Sequence, residues 1–447
     1  MKITIAGAGE VGTHLAEMLS KEKHDIIVID NDVENITNLE SHYDILTISG
    51  SCTSFANLSD ARASEADLFI AVTKNEETNL ISAMIAKKMG AKQTIARIDN
   101  REYLFPTSRE HFRHLGIDTI ICPEKLAANE IVGLIHQSGL SELFEFSGGK
   151  LLLTVVRLDD DAPIINHSLI EASAINPHFD YRAVAITRNE KTIIPRGSDM
   201  FLKNDLVYVI TNQAGVQSLL TYAGKVHYEI SNIMILGGSR IGMKTAKDLE
   251  NRYNIKMIES SKERCLELSD ILQKSLIING DVSDIHLMMD EGLKKMDAFI
   301  AVTESSETNI LSCLYAKKMG VKKTIAEVEN IDYIDLAENI GIEAIINKKL
   351  ISASYIYRFT MNAKVEASKC LTGADAEVFE FVVQDDTKIT KSMVKDLNFP
   401  EGAIIGGVIR KDQSFIVKGD THIQAHDKVV VFSLPSAIKK VDKFFNI

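Results

Sequence analysis

The chain has 447 residues, of which 45% are hydrophobic and 25% charged, with a formal net charge of −12. Such a composition belongs to an ordinary globular protein able to bury large cores, and excludes a disordered or collagen-like chain. The acidic balance disfavours a nucleic-acid-binding role, which rests on attraction to phosphates. No apolar run reaches the roughly 18 residues of a membrane-spanning helix. The opening MKITIAGAGE lacks the pattern of a signal peptide and reads as a strand. Cys52, Cys122, Cys265, Cys313 and Cys370 are scattered without a CxxC pair; they are expected to be reduced thiols in a cytosolic protein.

In chain order, short apolar runs at 3–6, 26–29, 68–72 and 95–98 alternate with helical patterns at 11–19, 33–39 and 78–89. Alternation of this kind predicts βαβ units and a parallel sheet covered on both faces. The run FIAV at 69–72 is apolar without alternation, as in a strand buried on both sides. Residues 124–137 follow with a partial helical stripe of Leu126, Ile131, Leu134 and Ile135. Two readings of this connecting helix stand open: it packs on its own sheet, or it crosses to a partner subunit. From about 150 to 215, the β-branched runs LLLTVVRL, AVAIT and LVYVI predict a small α+β lobe.

The pattern then starts again. Residues 66–100 align without gaps on 296–330, with 20 of 35 positions identical, a level that chance does not give. The offset of 230 carries Gly7, Gly12 and Gly50 onto Gly237, Gly242 and Gly280, and a later offset of 222 carries Arg188, Gly197 and Asp205 onto Arg410, Gly419 and Asp427. The chain is therefore a tandem duplication. The expected fold is α/β, with two Rossmann-like, doubly wound parallel-sheet lobes, each followed by a small α+β lobe. The expected boundaries are 1–123, 124–226, 227–348 and 349–447.

Candidate chemistry lies directly after the first strand. Gly7, Ala8, Gly9, Glu10, Val11 and Gly12 form a GxGxxG that opens a helix, and Asp30 ends the next strand 18 residues beyond Gly12. Gly7 permits the tight turn, Gly9 lets the backbone approach a pyrophosphate, and Gly12 allows close packing of helix on strand. The helix N-terminus offers N–H groups and a positive dipole end to phosphates. The Asp30 carboxylate suits a ribose diol and repels a 2′-phosphate, so NAD(H) or another adenosine nucleotide is favoured over NADP(H). The second copy reads Gly237, Gly238, Ser239, Arg240, Ile241, Gly242, with Glu259 in place of Asp30. Ser239 puts a side chain where the backbone must approach a phosphate, although Gly238 beside it is expected to restore some room.

Arg97 follows a strand and suits a phosphate at the sheet's carboxyl edge, where its counterpart Glu327 does not; a solvated surface arginine is the alternative. Thr73 and Lys74 end another strand at the same edge, where a ribose or phosphate contact and plain strand capping are both open. No nucleophile elbow, Walker lysine or metal-ligating cluster occurs. Doubled nucleotide folds without catalytic equipment suggest a sensor.

The strings GAGEVG with Asp30, AVTKNEETN and AVTESSETN, the two AKKMG segments, and the ends PRGSD...NDLVYVI and VKGD...HDKVVVF resemble the RCK (KTN) modules that regulate potassium channels and transporters. The resemblance implies a peripheral regulatory subunit on the cytoplasmic face of the membrane. It implies assembly into a homo-oligomeric ring, taken as a tetramer, on an integral-membrane potassium-translocating subunit. NAD(H), or ATP/ADP, would bind the Rossmann-like lobes, with catalytic residues and metals playing no part. Carried over by motif, Gly7, Ala8, Gly9, Glu10, Val11, Asp30, Thr73, Lys74 and Arg97 would contact nucleotide. Gly237, Gly238, Ser239, Arg240, Ile241 and Glu259 would form a second site. Two rival functions are an NAD-dependent oxidoreductase, which needs a catalytic group facing the nicotinamide, and a nucleotide-responsive scaffold for another partner.

Overall fold

In the computed structural model the described residues are 1–20, 24–137, 140, 142–158, 161–175, 180–189, 191–224, 228–361, 363–371, 374 and 376–446. The expected boundary between residues 226 and 227 lies outside them. The first lobe is a parallel sheet of β1 (Lys2–Ala6), β2 (Asp25–Asp30), β3 (Leu46–Ser49), β4 (Leu68–Ala71), β5 (Gln93–Arg97) and β6 (Thr119–Ile121). Its spatial order is β3-β2-β1-β4-β5-β6. An antiparallel sheet follows, built from β7 (Glu142–Phe146), β8 (Leu151–Arg157), β9 (Tyr181–Arg188), β10 (Lys191–Ile193) and β11 (Leu206–Thr211), in the order β10-β9-β11-β8-β7.

The second half repeats both. Its parallel sheet contains β12 (Asn232–Leu236), β13 (Asn254–Glu259), β14 (Leu276–Asn279), β15 (Ala298–Ala301), β16 (Lys323–Glu327) and β17 (Ala344–Ile346), ordered β14-β13-β12-β15-β16-β17. Its antiparallel sheet contains β18 (Val365–Cys370), β19 (Glu377–Val382), β20 (Ala403–Arg410), β21 (Gln413–Ile416) and β22 (Lys428–Ser433), ordered β18-β19-β22-β20-β21. The fold is thus two doubly wound Rossmann-like lobes, each followed by a small antiparallel lobe with helices. Every residue of β4 and β15 is buried, which accounts for their apolar runs without alternation.

The chain divides into two compact units, and neither is one continuous stretch. The first unit holds Met1–Leu126 with Lys348–Thr360; the second holds Ala127–Asn347 with Met361–Ile447. In the first unit, the second connecting helix, Lys348–Tyr357, packs on the first helix of the chain, Glu10–Ser20. Ser352, Ala353, Ser354, Ile356 and Tyr357 of that helix are buried. In the second unit, the first connecting helix, Pro123–His136, continues from Ala127. Its Glu130 takes a hydrogen bond from Lys369 Nζ at 2.6 Å, and its His136 ring stacks on Tyr253 with centroids 6.1 Å apart. The connecting helices therefore make contacts across the two halves of one chain, while Glu124 of the first also meets Arg97 of its own sheet.

The two antiparallel sheets share one apolar core within the second unit. Phe146, Leu153, Tyr208 and Ile210 meet Val378, Ile409, Val430 and Phe432 there. Gly406 and Gly407 of β20 sit at the contact: a Cβ on Gly406 would lie 2.7 Å from Ile210 Cγ1, and one on Gly407 would lie 2.6 Å from Leu151 Cδ1. Overpacking of a filled core costs about 1–3 kcal/mol, and Gly406→Val should destabilise the second unit by that amount in urea titrations followed by circular dichroism.

The repeated Arg and Asp positions of the small lobes are structural. Arg188 Nε donates to Asp205 Oδ1 at 2.8 Å and its Nη2 to Asp205 Oδ2 at 2.7 Å, while Nη2 also reaches Met200 O at 2.7 Å. Asp205 accepts in addition the Leu202 N–H. Arg410 and Asp427 form the same two-bond pair, with His422 O and the Gln424 N–H in the equivalent places. Each pair staples a hairpin to the loop before the next strand, and the aspartate raises the basicity of its arginine.

Candidate functional site

The strand order reverses between β1 and β4, and in open α/β sheets ligands bind at that switch point, beyond the carboxyl ends of the strands. Both predicted elements lie there. Gly7 has φ +109, and a Cβ on it would stand 2.8 Å from Thr73 N, so only glycine fits between the two strand ends. A Cβ on Gly12 would come within 1.8 Å of Gly7 O, which ties the helix hard against the turn. Over Gly9, by contrast, an added Cβ meets nothing within 4 Å. That open space lies above backbone N–H groups which an α-helix cannot pair internally, as a pyrophosphate requires.

Asp30 is buried at the end of β2. One carboxylate oxygen accepts the Ala8 N–H, and the other accepts the Asp32 N–H at 2.8 Å. The carboxylate thus fixes the glycine turn and the loop after β2 together, and each oxygen keeps a further lone pair for a ribose hydroxyl. Cys52 is buried beside it, donating to Ile29 O at 3.4 Å. Its thiol is pushed up to about 11, first by burial and then by the Asp30 charge, so it is a poor nucleophile.

Thr73 is held by a residue that sequence reasoning quoted only inside a string. Asn79 Oδ1 accepts from Thr73 N at 2.8 Å and from Thr73 Oγ1 at 2.7 Å, while Asn79 Nδ2 donates to Thr73 O and Arg97 O. One buried amide therefore locks the ends of β4 and β5. Asn309 does the same for Thr303 and Glu327 in the second lobe. The ETN string is a clamp because its asparagine lies in the first turn of a helix set against two strand ends. Lys74 is exposed. Arg97 is at the carboxyl end of β5 but its charge is engaged: Nη2 lies 2.9 Å from Glu124 Oε1 and 3.7 Å from Asp99 Oδ1.

The second turn repeats the backbone and changes the space. Gly237 has φ +100 and abuts Val302 and Thr303. Glu259 accepts the Gly238 N–H and the Ser261 N–H, both at 2.7 Å, as Asp30 does in the first lobe. The room expected over Gly238 is absent: an added Cβ would meet Leu268 Cδ1 at 2.4 Å and Glu259 Oε2 at 3.0 Å. Ser239 turns its hydroxyl onto Gly242 N at 3.2 Å and caps the helix Arg240–Leu249, occupying a donor that a phosphate would use. Arg240 and Ile241 open that helix, with Ile241 buried. A cation lies against this turn and also pairs with Glu267 at 2.7 Å. Arg264 Nε donates to Gly238 O at 3.0 Å, where the first copy has Glu34 at the aligned position.

Three features of the first turn suit a nucleotide: open space over Gly9, the N-terminus of a helix, and a carboxylate held at the end of β2. Among the described residues no helix is long and apolar enough to cross a membrane, and no three His, Cys, Asp or Glu side chains gather as a metal site. The TrkA-N domain family matches residues 3–123 and 233–348, and the TrkA-C domain family matches 153–224 and 378–446. A "Trk system potassium uptake protein TrkA homolog" of Archaeoglobus fulgidus is 35% identical over 450 residues, covering 100% of both chains. Two solved structures share the fold. The GsuK RCK domain has a TM-score of 0.62 at 15% identity and covers 99% of this chain and 94% of that one. The GsuK channel bound to NAD has a TM-score of 0.62 at 15% identity, covering 99% and 78% respectively. With both domain families matched in both halves, and a relative alike from end to end, the chain belongs to the TrkA family of Trk system potassium uptake proteins.

Proposed function

We propose that the chain is a peripheral, non-enzymatic regulatory subunit that gates an integral-membrane, TrkH-like potassium-translocating subunit from the cytoplasmic side. NAD(H) or ATP/ADP bound in the Rossmann-like lobes is the signal. The observation that carries the reading is the first turn, where open space over Gly9, the N-terminus of Glu10–Ser20 and the held Asp30 meet at the switch point. Gly7, Ala8, Gly9, Glu10, Val11, Gly12, Asp30, Thr73, Lys74 and Arg97 form the principal site. Gly237, Gly238, Ser239, Arg240, Ile241 and Glu259 form a weaker one. The four-lobe division into 1–123, 124–226, 227–348 and 349–447 and a homo-tetrameric ring are parts of the proposal. The names of the relatives support the potassium-uptake role.

When bound, the nucleotide supplies charge and hydrogen bonds, and its effect on transport is set by the difference in its affinity for two arrangements of the lobes. A tenfold difference corresponds to about 1.4 kcal/mol. Asp30 orients the ribose, and the glycine turn receives the phosphates. The test is calorimetric titration of NADH and of ATP, followed by potassium flux through vesicles containing the chain and its membrane partner. Saturable binding with altered flux supports the reading. Binding without any change in flux, or failure to co-purify an integral membrane protein from detergent extracts, counts against it. Calorimetry should also separate two classes of site, the weaker one sensitive to Arg264→Ala. Loss of one charge-assisted contact of about 1.5 kcal/mol corresponds to roughly tenfold in that class, with the tighter class unchanged.

A further inference from the structure

Around the first turn the fixed charges are mostly negative. Asp30 and Glu10 face it, and Arg97, the arginine expected to serve a phosphate, is already committed to Glu124 and Asp99. Besides exposed Lys74, a second cation, held by packing, comes from the other half of the sequence. Lys349 is the second residue of the helix Lys348–Tyr357, which packs on Glu10–Ser20. Its Nζ lies 3.5 Å from Glu10 Oε1, with the lysine side chain 15% exposed and the glutamate 50%. Glu124 occupies the same second position in the first connecting helix, so the two copies carry opposite charges at this place. The contact with Glu10, the first residue of the helix Glu10–Ser20, places Lys349 at the N-terminal end of that helix, where N–H groups suit an anion.

We infer that Lys349 is a phosphate-contacting residue of the first-lobe site, so that this nucleotide site is assembled from both halves of the duplicated chain. The inference rests on reading the Gly7–Gly12 turn as the nucleotide site. Glu10 holds Lys349 in the ligand-free protein. An ADP-type phosphate competes for the same ammonium, which neutralises the phosphate and shields it from Glu10 and Asp30. A group that carries no phosphate gains nothing from the lysine.

The test is calorimetric titration of the full chain with ADP and, separately, with adenosine. Lys349→Gln should weaken ADP binding about tenfold, the loss of one charged hydrogen bond, and leave adenosine unchanged. Lys349→Arg should retain ADP affinity, and Glu10→Gln, which removes the competing carboxylate, should strengthen it severalfold. Equal losses of ADP and adenosine affinity in Lys349→Gln would mean that the lysine merely supports helix packing, and would overturn the inference. So would unchanged ADP affinity in Lys349→Gln alongside a clear loss in Asp30→Ala, in which case the site reading stands alone. ADP binding indifferent to Asp30→Ala overturns the site reading and the inference together.

Discussion

Replacing Asp30 by alanine should raise the dissociation constant for NADH by about a hundredfold. Hydrogen bonds to a charged group are worth about 1.5–3 kcal/mol each, and the carboxylate is placed to accept from two ribose hydroxyls. A net loss of about 3 kcal/mol corresponds to roughly a hundredfold in affinity. Part of that loss acts through the protein, since Asp30 also holds the Ala8 and Asp32 N–H groups and so shapes the glycine turn. The same change removes the repulsion of a 2′-phosphate, so discrimination between NADH and NADPH should narrow. Glu259→Ala provides the contrast. It removes the corresponding carboxylate from the turn that Ser239 and Leu268 already fill, and should leave the tight class of sites intact. Isothermal titration of both variants with NADH and NADPH checks the pair of expectations; wild-type NADH affinity in Asp30→Ala would sink the first site.

Asp205→Ala should be the most destabilising single change in the small lobes. The Asp205 side chain is fully buried against the Arg188 guanidinium, and breaking a buried, hydrogen-bonded pair by removing one partner costs about 3–5 kcal/mol. The Leu202 N–H loses its acceptor at the same time. Because the antiparallel sheets of both halves share one core, the damage should spread to the lobe containing Arg410 and Asp427. Asp427→Ala should behave alike. Replacing both members of a pair, as in Arg188→Met with Asp205→Leu, should recover much of the loss, since it leaves no buried charge behind. Urea denaturation monitored by far-ultraviolet circular dichroism measures this. A shift for Asp205→Ala below about 1 kcal/mol, the range of an exposed ion pair, would show that the staple is not needed.

The Rossmann-like lobes were legible because their information is local. A glycine turn, a buried apolar strand and an acid at a set spacing are each written within a few residues, and the duplication writes them twice. The strands β6 and β7, with their partners β17 and β18, escaped notice. Two of them are only three residues long, and Glu142–Phe146 and Val365–Cys370 sit at sheet edges, where one unpaired side relaxes the need for an apolar pattern. At the site, the glycines and Asp30 could be read, but charge pairing could not. Arg97 looks free in sequence, and its engagement with Glu124 depends on where a helix begins 27 positions later. Lys349 carries no motif at all. It reaches Glu10 through tertiary packing across more than 300 residues, and nothing in its neighbourhood announces that. The contact of Arg264 with Gly238 O was hidden for the same reason, since no spacing announces it.

The exchange of connecting helices has a consequence for how such a chain can be cut. A break near the midpoint, between the two copies, leaves the N-terminal fragment without Lys348–Thr360 and strips the C-terminal fragment of the segment that begins at Ala127. Each fragment would carry a complete sheet order and an incomplete unit, and would recover its missing part only by pairing with the other. The divisible module is thus not the repeat but the pair of repeats: the covalent link fixes the stoichiometry of two dissimilar lobes at one to one, and lets one of them lose phosphate-binding features while its helix continues to serve the other.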